Sequence, residues 1–368
     1  MRVTITGAGI AGLSTAWALT KRGHQVTVLE QGDAIPNPLA ASGDEHRMIR
    51  RAYGSAAGYA RLISEAYQAS DEMWADLGAS HYAPLGVLCV SQRPGDEADR
   101  FRLGLDQAGT DYERFEPRAA ASRYPFLDPA AYQYAFFTPE GGALYCQRIA
   151  AGLAEWLRQR GAELRTGARV ERLDPASGVV TMADGERLAA DQIVLAAGAW
   201  VLKLAPELAN TLRTYRTAVV YLDPPADLDS AWAEAPAILS VGGDTEGYAL
   251  PPSDGTGLKF GAGVHKRITA DASGDRMPEP GEGEAIRDLF APPFARIGEY
   301  RVRSVVTCAY TFTADERFFA SSFGKVLLLS ACSGHGYKFG AAVGRRAADA
   351  VETRDISIFQ SWLRAEAA

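Results

Sequence analysis

The stretch that decides the fold reads VTITGAGIAG, from Val3 to Gly12. It places the motif G-x-G-x-x-G between a strand-like apolar run and a helical apolar pattern over residues 10–21. Gly7 permits a tight turn, Gly9 lets the backbone approach a pyrophosphate, and Gly12 lets the helix lie close to the strand. The stretch therefore predicts the first turn of a dinucleotide-binding β-α-β unit, with the phosphates at the helix N-terminus.

An acidic residue stands where such a unit needs one. Gly23 lies at the C-terminal end of the predicted helix, and QVTVLE over residues 25–30 predicts the second strand. Glu30 closes that strand, about 20 residues beyond Gly9, where a carboxylate can accept hydrogen bonds from ribose hydroxyls. Because a carboxylate repels a 2′-phosphate, the pattern favours FAD or NAD and disfavours NADP.

A second stretch favours FAD over NAD. QIVLAAGAW over residues 192–200 reads as a buried strand followed by a glycine turn at Gly198. It resembles the second dinucleotide-contact motif of glutathione-reductase-like flavoproteins. A buried strand with an ordinary glycine turn is the alternative interpretation. Val170, in the strand-like stretch 163–172, is also expected to contact the cofactor.

Composition and charge narrow the class of protein. The chain has 368 residues, with 47% hydrophobic and 23% charged residues, which is typical of a globular protein large enough for two domains. Its net charge of −7 argues against a nucleic-acid partner, because phosphate binding needs concentrated lysine and arginine.

Cysteine, histidine and apolar patterning bear on metal binding and location. The four cysteines are too widely spaced for a zinc ribbon and too few for a disulfide scaffold, and the five histidines are scattered, so no metal is expected. No run of about 18 apolar residues and no leader segment is visible. We therefore expect a cytoplasmic protein without a membrane partner.

Strand and helix patterns divide the chain into pieces of two kinds. The α/β pieces predict a Rossmann-type (glutathione-reductase-like) FAD-binding domain of discontinuous segments, 1–80, 141–210 and 301–368. The remaining segments, 81–140 and 211–300, alternate short strand patterns with proline and glycine turns. They predict an α+β substrate domain built on a mainly antiparallel sheet, and the fold class is α/β.

Five further motifs carry a resemblance to a known family. They are RMIRRAYG (47–54), GLKFG (257–261), TCAYT (307–311), SGHGYKFG (333–340) and DISIF (355–359). In this order they resemble the motifs of the monomeric sarcosine oxidase and N-methyltryptophan oxidase family. These proteins are FAD-dependent amine oxidases of the D-amino-acid oxidase superfamily.

The resemblance implies how the flavin is held. Cys308 would carry it covalently through an 8α-thioether, whereas a merely packed thiol is the alternative. Backbone amides at Gly334 and Gly336 would hold the flavin pyrimidine oxygen, where negative charge gathers on reduction. His335, between these glycines, is expected to pack or to orient the flavin rather than to act as a base. The other cysteines, Cys89, Cys146 and Cys332, are expected to be packing residues.

The resemblance also implies roles for the basic residues. Arg50 and Lys338 would bind the substrate carboxylate, and Arg47 would lie beside the flavin ring. Lys259 would activate oxygen by stabilising negative charge as it develops. The alternatives are surface ion pairs for the arginines and a solvated strand edge for Lys259.

Two tyrosines and two departures from the family bear on the substrate. Tyr248 and Tyr310 are expected to shape the substrate cavity, Tyr310 close to the reacting centre. The family has a histidine pair where residues 41–43 read ASG, and a further histidine where residues 262–263 read AG. These changes put sarcosine itself in doubt and leave the reaction type unaffected.

The expected function is oxidation of a secondary, or else a primary, amino acid by FAD. The C–N bond would become an imine, and O2 would be reduced to H2O2. A dehydrogenase that uses a quinone or an electron-transfer protein is one alternative, and a cyclic imino-acid oxidase of secondary metabolism is another. An FAD-binding regulatory protein is the non-enzyme alternative. A monomer or a simple homo-oligomer is expected.

Overall fold

The fold is that of a computed structural model, which describes residues 1–54, 57–330 and 332–366. Within these ranges the strands are β1 (Arg2–Thr6), β2 (Gln25–Leu29), β3 (His46–Arg50), β4 (Tyr82–Ala83), β5 (Val87–Ser91), β6 (Glu113–Phe115), β7 (Tyr134–Thr138), β8 (Gly141–Tyr145), β9 (Glu163–Arg165), β10 (Val170–Asp174), β11 (Val179–Met182), β12 (Arg187–Ala189), β13 (Gln192–Leu195), β14 (Arg213–Asp223), β15 (Ala237–Val241), β16 (Gly247–Leu250), β17 (Leu258–Ala262), β18 (Arg267–Ile268), β19 (Arg301–Phe312), β20 (Phe319–Phe323) and β21 (Val326–Ser330).

The α-helices of the same ranges lie between these strands or after the last of them. They are α1 (Ile10–Lys21), α2 (Ala57–Leu77), α3 (Glu97–Ala108), α4 (Pro117–Arg123), α5 (Cys146–Gln159), α6 (Val201–Leu204), α7 (Asp229–Ala233), α8 (Glu282–Asp288), α9 (Gly340–Thr353) and α10 (Ser357–Leu363). No helix in the described part of the chain is both long enough and apolar enough to cross a membrane.

The predicted dinucleotide unit forms the centre of a six-stranded sheet. The strand order is β20-β21-β13-β1-β2-β9, and all neighbours are parallel except the β20–β21 pair. The apolar side chains of β1 are buried on both faces, as is usual for a parallel strand covered by helices. The helix predicted over residues 10–21 is α1 with the same bounds, so this part of the prediction is confirmed.

Two glycines let α1 approach its neighbours closely. A Cβ on Gly12 would lie 1.9 Å from the carbonyl oxygen of Gly7, so only glycine fits at the start of the helix. A Cβ on Gly344 of α9 would lie 2.3 Å from the carbonyl oxygen of Ser14 on α1. Close contact between the two helices therefore fixes the direction in which the N-terminus of α1 points.

A nine-stranded sheet carries the other predicted site residues. Its order is β18-β14-β17-β16-β15-β5-β7-β6, with β19 paired along the other edge of β14. All of its pairings are antiparallel except that of β15 with β5. The expected mainly antiparallel sheet is confirmed, and with it the α/β fold class. The exact domain boundaries stay a prediction.

The register of this sheet places Lys259 opposite Tyr221, on β14. Side chains alternate between the two faces of a strand, so Lys259 and its neighbour Phe260 point to opposite sides. Phe260 enters an aromatic core, with its ring centroid 5.6 Å from that of Trp232 and 5.1 Å from that of Phe294. Lys259 therefore faces away from this core, towards the arginine motif on β3.

Candidate active site

The glycine turn borders an elongated cavity of about 300 Å³. Gly7 has a φ of +103°, and a Cβ there would lie 2.4 Å from the carbonyl oxygen of Ala196. Only glycine can therefore bring β1 and the end of β13 together at this point. Of the predicted cofactor contacts, the following border this cavity: Gly7, Gly9, Glu30, Val170, Gly198 and Gly336. Gly12 lies behind the turn, as a packing glycine should.

Glu30 is buried and organises the turn. Its side chain accepts hydrogen bonds from the backbone amides of Ala8 (3.0 Å) and Gly32 (2.8 Å) and from Asn37 Nδ2 (2.9 Å). A carboxylate has about four acceptor positions, so it can still accept one bond from a ribose hydroxyl. Asn37 was missed in the sequence, because no spacing rule connects it to the glycine motif.

The segment that departs from the family pattern lies at the start of α1. Residues Ala41–Gly43 form a 3-10 turn, and Ser42 Oγ accepts a hydrogen bond of 2.9 Å from the backbone amide of Ile10. The hydroxyl satisfies one of the free amides that every helix N-terminus leaves. Ser42 borders the first cavity and is a further residue that the sequence pattern did not single out.

A second cavity, of about 720 Å³, holds most of the remaining predicted residues. Tyr310 borders both cavities, so the two spaces are adjacent at this residue. The predicted residues that border the second cavity are Arg47, Arg50, Tyr248, Tyr310, Gly334, His335 and Lys338. Glu97, which was not predicted, borders it too, with one carboxylate oxygen buried and without a partner among the described residues.

Two cations of this cavity face one aromatic ring. The guanidinium carbon of Arg50 lies 4.5 Å from the ring centroid of Tyr53, and Lys338 Nζ lies 5.5 Å from the same centroid. Arg50 Nη1 is buried and has no hydrogen-bond partner in the described part of the chain. Burial first, and the charge of Arg50 second, lower the pKa of Lys338 well below its usual range. The carboxyl of Glu97 lies near enough to interact with Arg50: burial raises the pKa of Glu97, and the charge of Arg50 opposes this.

The guanidinium of Arg47 contacts residues around both cavities. It donates hydrogen bonds to the carbonyl oxygen of Ala41 (3.0 Å) and to Cys308 Sγ (3.5 Å). Its guanidinium carbon lies 5.5 Å from the ring centroid of Tyr310. It also forms an ion pair of 3.3 Å with Asp44. A fixed positive charge therefore stands beside the sulfur, where it stabilises negative charge.

The cysteines occupy different places around the first cavity. Cys308, on β19, is buried and does not belong to the lining of either cavity, although its neighbours Ala309 and Tyr310 do. Cys332 borders the first cavity, and burial raises the pKa of its thiol. Cys332 was expected to be only a packing residue, although it directly precedes the SGHGYKFG motif.

Lys259 is fully buried and belongs to neither cavity lining. Its ammonium donates to Asp44 Oδ2 at 2.5 Å and to the carbonyl oxygen of His46 at 2.8 Å. Tyr221 donates to Asp44 Oδ1 at 2.6 Å. The sequence did not predict Asp44 or Tyr221 as site residues, although an acid three positions before Arg47 was a visible signal.

His335 lies among aromatic rings. Its ring centroid is 4.6 Å from that of Phe318 and 4.8 Å from that of Tyr59. Burial first, and the charge of Lys338 second, lower the pKa of His335 to about 3. The imidazole is therefore neutral at physiological pH, which suits the expected packing or orienting role. No cluster of ligands that could hold a metal ion occurs within the described ranges.

Three features together are typical of a flavin-dependent oxidoreductase. They are a glycine turn at a helix N-terminus, a buried acid at the end of the second strand and an adjoining cavity with basic side chains. The sequence model of the DAO family, FAD dependent oxidoreductase, matches residues 2–350, and the chain belongs to this family. The expected FAD cofactor and enzyme class are thereby confirmed.

Particular relatives agree with the resemblance seen in the motifs. The chain is 26% identical to monomeric sarcosine oxidase of Bacillus sp. (strain B-0618), over 97% of this chain and 94% of the relative. It is 25% identical to N-methyl-L-tryptophan oxidase of Salmonella arizonae, over 94% and 93%. Its fold matches that of NikD, an unusual amino acid oxidase essential for nikkomycin biosynthesis, with a TM-score of 0.82, 20% identity and coverage of 100% and 97%.

Proposed function

We propose that the protein is an FAD-dependent oxidase of a secondary or primary amino acid whose carboxylate binds to Arg50 and Lys338. One observation carries the proposal: a buried guanidinium nitrogen without a partner lies beside a second buried cation, in a cavity that meets the nucleotide cavity at Tyr310. A buried cation left unpaired is costly, so the arrangement favours an anionic ligand.

The residues of the first cavity fit FAD. Gly7, Gly9 and the N-terminus of α1 would receive the pyrophosphate, and Glu30 would accept from a ribose hydroxyl. When bound, FAD supplies the two-electron oxidation of the C–N bond to an imine, and O2 then accepts the electrons to give H2O2. Gly334 and Gly336 are proposed to face its reactive ring.

Arg50 and Lys338 would orient the substrate and prepare its amine. An arginine fork matches a carboxylate, and the Tyr53 and Phe101 rings on Arg50 keep the fork fixed. The positive charge of Arg50 also disfavours an ammonium group nearby, so a bound amine loses its proton more readily.

Three residues would support the redox chemistry. Lys259 is proposed as the cation that favours oxygen reduction, and Arg47 as the cation beside the flavin ring. Cys308 is proposed as the covalent anchor, supported by the guanidinium of Arg47 at 3.5 Å from its sulfur. Tyr248 and Tyr310 would border the reacting centre.

Location and assembly belong to the proposal as well. All four cysteines are free, which fits the reducing cytoplasm that the sequence favours. We retain a monomer or simple homo-oligomer. We also retain the discontinuous FAD-binding domain (1–80, 141–210 and 301–368) and the substrate domain (81–140 and 211–300). Limited proteolysis and light scattering test these points.

Paired substitutions of neighbouring arginines test the substrate site. Replacing Arg50 with Met should raise KM for an amino-acid substrate about 10- to 100-fold, since a charge-assisted hydrogen bond is worth roughly 1.5–3 kcal/mol. Arg51 pairs with Glu140 and Ser64 outside the cavity, so Arg51→Met is the matched control and should leave KM unchanged. Peroxide release measured over a range of substrate concentrations gives both values. Equal effects of the two substitutions would contradict the carboxylate site.

A further inference from the structure

Asp44 is the common partner of two cations and a phenol. Its Oδ2 accepts from Lys259 Nζ at 2.5 Å and lies 3.3 Å from Arg47 Nη2. Its Oδ1 accepts from the Tyr221 hydroxyl at 2.6 Å and from the backbone amide of Glu45 at 2.9 Å. Every acceptor position of this carboxylate therefore points at a donor that the fold supplies.

The cluster is sealed from solvent at its centre. The side chain of Lys259 is 0% exposed and that of Asp44 is 1% exposed, whereas Arg47 keeps 13% at the edge of the second cavity. Burial alone would raise the pKa of Asp44. The charges of Lys259 and Arg47, with the hydrogen bonds from Lys259 and Tyr221, hold this pKa well below its ordinary value. Asp44 is thus a permanent negative charge.

A buried ammonium depends on such a partner. Transfer of an ammonium into the interior strongly favours the neutral amine unless an opposite charge is close. Apart from Asp44, the bond of Lys259 to the carbonyl oxygen of His46 is its other hydrogen bond in the described residues. Without Asp44, the positive charge of Arg47 would repel the ammonium of Lys259.

We propose that Asp44 is a positioning residue of the redox site, which keeps Lys259 charged and fixed and shares its own charge with Arg47. The three side chains then act as one unit with a net charge of one plus, formed by two cations and one carboxylate. This inference rests on the proposed role of Lys259 in oxygen reduction. It assigns control of that role to a residue outside both cavity linings.

Among the described residues, no carboxylate other than Asp44 accepts a hydrogen bond from Lys259. His46 is neutral, because burial first and the charge of Lys259 second lower its pKa to about 3. The Glu45 carboxylate accepts from the backbone amide of Gly257 at 2.9 Å. The charged and titratable groups that face Lys259 from the packed elements are Asp44, Glu45, His46 and Arg47 around β3, Cys146 of α5, Tyr221 of β14 and Tyr248 of β16.

Charge-removing variants of the FAD-loaded protein test the inference between pH 6 and pH 9.5. Asp44→Asn keeps the shape and loses the charge, Lys259→Met removes the cation, and Tyr221→Phe is the matched control that removes one hydrogen bond from the same carboxylate. The first readout is the midpoint potential of the flavin against a reference dye, which needs no substrate. The second is the rate at which chemically reduced protein reacts with O2.

Two results would support the inference. At the acid end, Asp44→Asn leaves two cations and raises the potential above that of the wild type, and the difference disappears as pH rises and Lys259 loses its proton. Over the same range its reaction with O2 slows at least about tenfold towards that of Lys259→Met. Asp44→Asn could also have the wild-type potential and react with O2 as slowly as Lys259→Met at every pH. In that case Lys259 of the variant has already lost its charge below pH 6, and the result supports the inference as well. Tyr221→Phe keeps all three charges, so its changes in potential and in O2 reaction should be smaller than those of Asp44→Asn.

The inference is overturned if Asp44→Asn matches the wild type in both potential and O2 reaction at every pH. If Lys259→Met itself reacts with O2 at the wild-type rate, the proposed oxygen role of Lys259 fails, while the potential still tests Asp44. Should Asp44→Asn fold poorly, the double variant Asp44→Asn/Lys259→Met decides. It should have a higher Tm than Asp44→Asn, because the buried ammonium that lost its carboxylate is removed as well, and an equal or lower Tm would also overturn the inference.

Discussion

Single residues decide which sulfur the flavin reaches. Cys308 has a guanidinium 3.5 Å from its sulfur, and attack on the flavin requires a thiolate. Cys332 borders the first cavity, but burial raises the pKa of its thiol, so its thiolate is disfavoured. Proximity to the cavity favours Cys332, and the direct contact with Arg47 favours Cys308. We expect this contact to decide.

Substitution of each cysteine by alanine separates the two possibilities. After acid precipitation, the yellow colour should stay with the pellet in the wild type and in Cys332→Ala. In Cys308→Ala it should pass into the supernatant, because a non-covalent flavin is released when the protein unfolds. Absorption spectra of pellet and supernatant provide the measurement. Release of the yellow colour from Cys332→Ala alone would assign the covalent link to Cys332.

Lys338 gives a pH-dependent contribution to stability. In the folded chain its pKa lies well below the ordinary value of 10.5. At a pH between the lowered pKa and 10.5, the unfolded chain therefore binds a proton that the folded chain does not. The free energy of unfolding should therefore rise with pH in this window, by at most about 1.4 kcal/mol per pH unit. Stability from Lys338 is lost as the pH falls through the lowered pKa.

Denaturant unfolding of the wild type and Lys338→Met at several pH values measures this contribution. Other groups titrate too, so the relevant quantity is the difference between the two curves. The wild type should gain stability relative to the variant as the pH rises towards 10.5. Parallel curves would show that Lys338 keeps an ordinary pKa in the folded protein.

At the scale of elements, patterns that repeat along the chain were predictable. The spacing of apolar residues gave α1 with its correct bounds, and the runs over 237–241 and 258–261 are β15 and β17. Helix α2 was not predicted. Its buried face carries Tyr59, Ile63, Met73 and Trp74 at helical spacing, so the signal was present, although Ala66 and Ala69 weaken the middle of the apolar stripe.

The contact between α1 and β1 provides a test at this scale. Gly12→Ala should force the helix away from the strand, because the new Cβ would meet a backbone oxygen at 1.9 Å and neither partner can rotate away. We expect at least a tenfold loss of FAD affinity, or a matching loss of bound flavin per chain. Gly298→Ala is the control, since a Cβ there meets nothing within 4 Å. Equal flavin content in both variants would contradict this role for Gly12.

At the scale of the whole molecule, the site joins segments that are distant in the sequence. Asp44 and Lys259 are 215 positions apart and meet because β17 pairs with β14 and presents one face to the β3 segment. The resemblance named the residue types at 50, 259, 308 and 338. It could not reveal which side chains touch, because the pairing of Asp44 with Lys259 depends on sheet register and on a loop that departs from the family pattern.

The protein is proposed to oxidise an amino acid held by its carboxylate and to return the electrons to O2. Anaerobic mixing of the FAD-loaded protein with N-methyl amino acids, followed by admission of air, measures both steps in one experiment. An acid with a free carboxylate should bleach the flavin absorbance, and its decarboxylated amine should not. Air should then restore the absorbance with formation of an equimolar amount of H2O2. Bleaching by the decarboxylated amine would rule out the carboxylate site, and flavin that stays reduced in air would rule out the oxidase reaction.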